Sequence, residues 1–135
     1  MKPKDPLLFF KVYCCAVVVF LLHAFLGPQR AIKILRRRPM MRLISCSHAY
    51  RQRLVRYVEF AVSHWPFWRK KGRCLLRSLL IYSFLISEEE DLVMVVGVRK
   101  NQANWEGHAW LERDGKTYLD DGHAVEAYEK ILICH

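Results

Sequence analysis

Cys74 follows Gly72-Arg73 and opens an apolar run, Leu75 to Ile86, that reads as a helix. A cysteine attacks as the thiolate, so a nucleophilic one needs its pKa lowered from about 8.5 to roughly 3.5–7.5. The first turn of a helix favours that charge through its free N–H groups and its dipole. A neighbouring imidazole does more, because it forms a thiolate–imidazolium pair. His108 is the candidate, in the strand-like run Gly107 to Glu112. A second run, Lys116 to Asp120, follows after Arg113-Asp114-Gly115, and Asp-Gly between two strand-like runs is a strong hairpin signal. The return strand carries Asp120 and Asp121, either of which could hold the imidazole in one tautomer. A strict two-residue turn pairs His108 with Asp121, and a longer loop or a bulge brings Asp120 into place. Pattern leaves the two open. Cysteine, histidine and aspartate so arranged perform acyl transfer. The N–H groups around the helix start would bind the oxyanion, at about 2.7–4 kcal/mol per donor in other proteases.

These residues need elements to carry them. Leu7 to Leu26 is an apolar stretch that Gly27-Pro28 should stop. Gln29 to Arg38 reads as a short basic helix, with Ile32 and Leu35 on one face and Arg36-Arg37-Arg38 at its end. In Ser47 to His64, Tyr50, Leu54, Tyr57, Val58 and Ala61 recur at helical spacing, and Trp65-Pro66-Phe67-Trp68 ends the helix. After the Cys74 helix, Ser87 to Asp91 reads as an exposed acidic connector. Leu92 to Val98 reads as a buried strand and Arg99 to Asn104 as a polar loop. Ala124 to Cys134 should pack back as a short helix or strand. Helices followed by a small antiparallel sheet make an α+β layout. Residues 1–69 would form a helical region that packs on the core or docks a partner. Residues 70–135 would form the catalytic core, within one structural domain overall.

The chain's 135 residues carry a net charge of +9, unevenly spread. Residues 1–73 hold sixteen Lys/Arg against two Asp/Glu, and residues 74–135 hold six against eleven. A basic half suits an acidic peptide, a membrane surface or an acidic protein. Nucleic acid is not expected, since neither an RNP-type aromatic strand nor a zinc-finger spacing is present. The five cysteines show no regular spacing and no CxxC, which argues against a disulfide framework and a thiolate zinc site. Cys14, Cys15, Cys46 and Cys134 lack the company of Cys74 and read as structural. His123 could join His108 and Asp120 around a metal, but the spacing matches no usual motif, so neither metal nor cofactor is expected. A reducing cytoplasm fits, with a peripheral position at the inner face of a membrane as the alternative. The uncharged part of the first helix, Val12 to Leu22, falls short of the ~20 residues a span needs. No small-x-small cleavage site follows it.

The segments Cys74-Leu75-Leu76-Arg77-Ser78-Leu79-Leu80, Val95-Val96-Gly97-Val98-Arg99, Gly107-His108-Ala109-Trp110-Leu111-Glu112 and Leu119-Asp120 together resemble the lasso-peptide leader peptidases. These are transglutaminase-like proteins of microcin processing. The resemblance covers about residues 70–125. It implies a papain/transglutaminase-like cysteine peptidase core with Cys74, His108 and Asp120 as its triad, favouring Asp120 over Asp121. It also implies the leader–core junction of a ribosomally made precursor peptide as substrate. Residues 1–73 lack the strand series of a leader-binding module, so the split form is expected, with a separate leader-recognition protein as partner. A macrolactam-forming lasso cyclase would act next. The basic, partly apolar N-terminal half would dock that recognition protein or a membrane-bound complex. The rival expectations are a non-catalytic scaffold of the same fold, and an acyltransferase or amidase acting on other substrates.

Overall fold

A computed structural model describes residues 4–38, 47–64 and 72–135. Cys46, the Trp65 to Trp68 helix stop and Lys70-Lys71 lie outside the described residues. Three helices come first: α1 (Pro6–Arg37), α2 (His48–Ser63) and α3 (Arg73–Leu85). Then follow β1 (Val93–Asn101), β2 (Asn104–Arg113), β3 (Lys116–Tyr118), a short α4 (Gly122–Glu126) and β4 (Glu129–Cys134). The strands form one antiparallel sheet in the order β3-β2-β1-β4. The mixed helix-plus-antiparallel-sheet layout is the one expected.

Local chemistry explains where the helices begin. Asp5 caps α1, its carboxylate accepting from the Leu8 N–H at 3.1 Å, and Pro6 occupies a first-turn position that needs no N–H. Ser47 caps α2 by accepting from the Tyr50 N–H. Gly27, at φ 77° and ψ 170°, is non-helical and breaks the helical path where Gly-Pro predicts; the basic segment follows as a second helical stretch across that kink, and the two together are labelled α1. Leu8, Val12, Cys15, Ala16 and Val19 face the core from α1. Leu7, Phe10, Val17, Val18, Leu21 and Phe25, on its other side, stay exposed. By length and composition α1 could cross a membrane, and 28% of its most apolar stretch is buried in the protein.

Helix α3 is nearly surrounded, with Leu76 and every residue from Ser78 to Leu85 buried. Such a helix is largely apolar because it packs on α1 and α2 on one side and on the sheet on the other. Alternation along β1 then separates two cores. Met94 joins the helical core, while Val95 faces a smaller cluster with Trp110 and Val125.

Three expectations need correction. Arg99 to Asn104 is not a loop: β1 and β2 run to Asn101 and from Asn104, and they turn at Gln102-Ala103 with Gln102 at φ 53°. The tail is both helix and strand, α4 then β4. The connector Ser87 to Asp91 is not wholly exposed, because Glu89 is 5% exposed. Its carboxylate pairs with Arg51 at 2.8 Å and Arg113 at 3.5 Å and accepts from the Tyr118 hydroxyl at 2.8 Å. Cations from α2 and β2 neutralise a charge that sequence alone consigns to solvent.

Candidate active site at the start of α3

Gly72 takes a left-handed conformation, φ 108°, that starts α3 sharply and leaves its first turn without a side-chain cap. Cys74 is therefore on the first turn, half-buried, beside β2. Ser78, one turn further along, donates its hydroxyl to the Ala109 carbonyl at 3.1 Å, bolting α3 to β2 next to His108. Cys74, Leu75, His108 and Ala109 line one cleft, and the His108 imidazole and the backbone at Ala109 and Leu75 act on the Cys74 thiol. Burial pushes the thiol up. The imidazole and the backbone N–H groups outweigh that and bring it below the ordinary thiol value.

The imidazole also meets Asp120: His108 Nε2 lies 3.7 Å from Asp120 Oδ2, an ion pair rather than a direct hydrogen bond. Asp120, then Cys74, raise His108 from 6.5 to about 9, against its burial. Asp120 itself is pushed up by burial but held below the usual carboxylate range by His108, by Arg77 and by the Asp121 N–H, which donates to it at 3.0 Å. The structure thus brings Cys74, His108 and Asp120 into one constellation.

How Asp120 reaches His108 differs from both registers considered above. The turn at Asp114-Gly115 is the strict two-residue one, with Arg113 opposite Lys116 and Leu111 opposite Tyr118. Continued, that ladder would set Asp121 against His108. It stops at Tyr118 because Leu119 adopts φ 56°. For a non-glycine residue this costs on the order of 1–3 kcal/mol. The chain turns there, presenting Asp120 to the imidazole, while Asp121 caps α4 by accepting from the His123 N–H at 3.0 Å. His123 is exposed and pairs with Glu126, away from the site. Among the described residues no group of three His, Cys, Asp or Glu is arranged as a metal site.

Further residues support the site: Arg77, Gly97, Arg99, Trp110 and Glu112 fall in the segments quoted above, whereas Tyr128, Lys130, Glu106 and Glu59 do not. The Trp110 ring stacks near His108 at 5.9 Å between centroids, and Tyr128 lies 5.3 Å from it. The Trp110 indole fits because Gly97, paired opposite His108, has no side chain: a Cβ there would sit 2.6 Å from Cη2. The indole N–H donates to Glu112, which Lys130 holds at 2.7 Å. Arg99 lies over the Tyr128 ring and pairs with Glu106 at 2.7 Å. Arg77 reaches from α3 to Glu59, to the Leu119 carbonyl and to Asp120. The i, i+2 spacing of His108 and Trp110 was the available signal for the stack. For Arg77 and Tyr128 no local signal exists. Beside the thiol and imidazole opens a cleft of about 550 Å³ whose walls include Leu75, Val96, Trp105 and Tyr128. A half-buried cysteine at a helix start that shares a cleft with an imidazole able to take its proton can, as the thiolate, attack a carbonyl bound there.

Compared with known families, residues 14–133 match the family model described as the transglutaminase-like superfamily. No curated protein and no solved structure matches the chain.

Proposed function

The chain belongs to the transglutaminase-like superfamily, and from that premise we propose that it is a cysteine peptidase removing the leader from a lasso-peptide precursor. The superfamily and the fold point to cysteine-dependent acyl chemistry. The observation that carries the proposal is that Cys74 and His108 line one cleft, with Asp120 3.7 Å from the His108 ring.

In the proposed mechanism His108 takes the Cys74 proton, and the thiolate attacks the carbonyl carbon of the scissile amide. N–H groups at the start of α3 receive the charge that develops on the carbonyl oxygen. The tetrahedral intermediate collapses, the imidazolium gives its proton to the departing amine, and the acyl group remains on Cys74 as a thioester. Water, deprotonated by His108, then hydrolyses the thioester and frees the thiol. Asp120 holds the ring so that the same nitrogen faces sulfur throughout and stabilises its positive form.

The substrate, a leader–core junction, follows from the resemblance of the Cys74 to Leu80 and Gly107 to Glu112 segments to leader peptidases. A separate leader-recognition protein is the proposed partner, docking on the exposed apolar side of α1 and its basic end, with a lasso cyclase acting on the product. The proposed location is the cytoplasm, at the membrane's inner face if that docking brings the complex there.

The test is mass spectrometry of precursor incubated with the chain, with and without the recognition protein. Release of intact leader and core, abolished in folded Cys74→Ala, is expected. Amide products formed only with an added amine would identify an acyltransferase. No turnover of any acyl substrate, with the precursor still bound, would identify a scaffold.

A further inference from the structure

The Arg77 guanidinium stands where three segments meet. Its Nε and Nη2 donate to Glu59 Oε1 on α2 at 3.3 and 3.2 Å, and Nη2 also donates to the Leu119 carbonyl at 2.9 Å. Nη1 lies 3.6 Å from Asp120 Oδ2, the oxygen that faces His108. Leu119 is the left-handed residue at which the β2–β3 ladder ends, and a leucine keeps that conformation only where its surroundings enforce it. The planar fork of an arginine can hold a carbonyl and a carboxylate from fixed directions at once.

We propose that Arg77 is a positioning residue: by gripping the Leu119 carbonyl it maintains the chain break that presents Asp120, rather than Asp121, to His108. It acts through Asp120 and does not touch the thiol. Its consequence for turnover rests on the Cys74–His108–Asp120 reading, but its direct readout is the titration of one ring and needs no substrate.

Two effects of Arg77 on His108 have opposite signs. As a nearby cation it disfavours the imidazolium, so deleting the charge alone would raise the His108 midpoint. As a clamp it keeps a carboxylate beside the ring, so losing the clamp lowers the midpoint. The other groups around His108 stay constant in this comparison: Cys74 on α3, Tyr128 before β4 with Arg99 above it, and Glu106 on the same strand.

The experiment follows the His108 ring by NMR titration in the full chain, for wild type, Arg77→Met, Arg77→Lys, Asp120→Asn and the Arg77→Met/Asp120→Asn double variant. Arg77→Met should lower the midpoint by about one pH unit or more, toward the ~6.5 of a free imidazole. Arg77→Lys keeps the charge but loses the fork, and should lower it too. The double variant should titrate at or somewhat above Asp120→Asn alone, because the clamp acts through Asp120 and only the loss of the nearby cation remains. A midpoint that rises or stays in folded Arg77→Met overturns the proposal, as does a double variant clearly below Asp120→Asn. If Arg77→Met does not fold, Arg77→Lys decides: a lowered midpoint supports the clamp and an unchanged one overturns it. Leader cleavage is measured separately, so a wrong substrate assignment leaves this result standing.

Discussion

At Cys74, burial works against the thiolate, while His108 and two backbone N–H groups work for it and prevail. Replacing Cys74 with Ala or Ser should therefore remove turnover, by about 10⁴-fold or more, without unfolding the protein. Rates of leader removal beside melting curves check both halves. Asp120 and Asp121 should separate cleanly. Asp120→Ala should slow cleavage by up to roughly 10⁴-fold, the loss seen when a triad carboxylate is replaced elsewhere. Asp121→Ala should cost mainly stability, about 0.5–2 kcal/mol for a lost cap. The order reverses if Asp121 orients the ring. The pH profile of kcat/KM should be bell-shaped. Its acid limb, thiol deprotonation, lies below the ordinary thiol value, and its alkaline limb lies near about 9, where His108 loses its proton. Since Asp120 raises His108, Asp120→Asn should move the alkaline limb down. A limb that stays near 9 in that variant would contradict the assignment.

At the scale of elements, the hairpin of β1 and β2 does two jobs. One face packs on α3, and the other carries His108 over Trp110. Gly97 makes the second possible, since a methyl group there would press on the indole at 2.6 and 2.8 Å and approach the Glu129 carbonyl at 3.0 Å. Gly97→Ala should destabilise the protein by about 1–3 kcal/mol through overpacking. It should also disturb His108 through the displaced indole. Denaturant titration and the chemical shift of the His108 ring report the two effects. Unchanged values would mean that β1 yields easily at its irregular pairing with β4 between Val96 and Gly97.

The whole molecule is electrically divided, with a strongly basic first half and an acidic second half. Its longest helix keeps one apolar side packed and another bare. Under the proposed function these features serve partner docking and leave the chemistry alone. Reversing the charge of Arg37 and Arg38, both exposed, should reduce partner-stimulated cleavage more than the basal rate. Arg36 is left out because its guanidinium donates to the Glu90 carbonyl at 3.4 Å. Equal loss with and without partner would place the effect inside the enzyme. Cleavage should also persist in chelator and stop on thiol alkylation. Loss in chelator, with rescue by zinc, would favour a metal mechanism.

Much of this protein was legible before any coordinates, for a local reason. Apolar spacing, Ser47 and Asp-Gly act within a few residues, so helix types, the position of Cys74 at a helix start and the tight hairpin could be read directly. Alternation places His108 and Trp110 on one face of a strand. Other features depend on contacts between residues far apart in the chain. Glu89 is buried because Arg51, Arg113 and Tyr118 converge on it from other elements. Gly97 matters because an indole from the next strand fills its missing side chain. The choice between the two aspartates is the clearest case. Pairing rules extended along the hairpin select Asp121, and the left-handed Leu119, held through its carbonyl by Arg77 from α3, hands the position to Asp120. A backbone angle enforced by a side chain forty-two residues away leaves no trace in local pattern, and only the folded chain decides it.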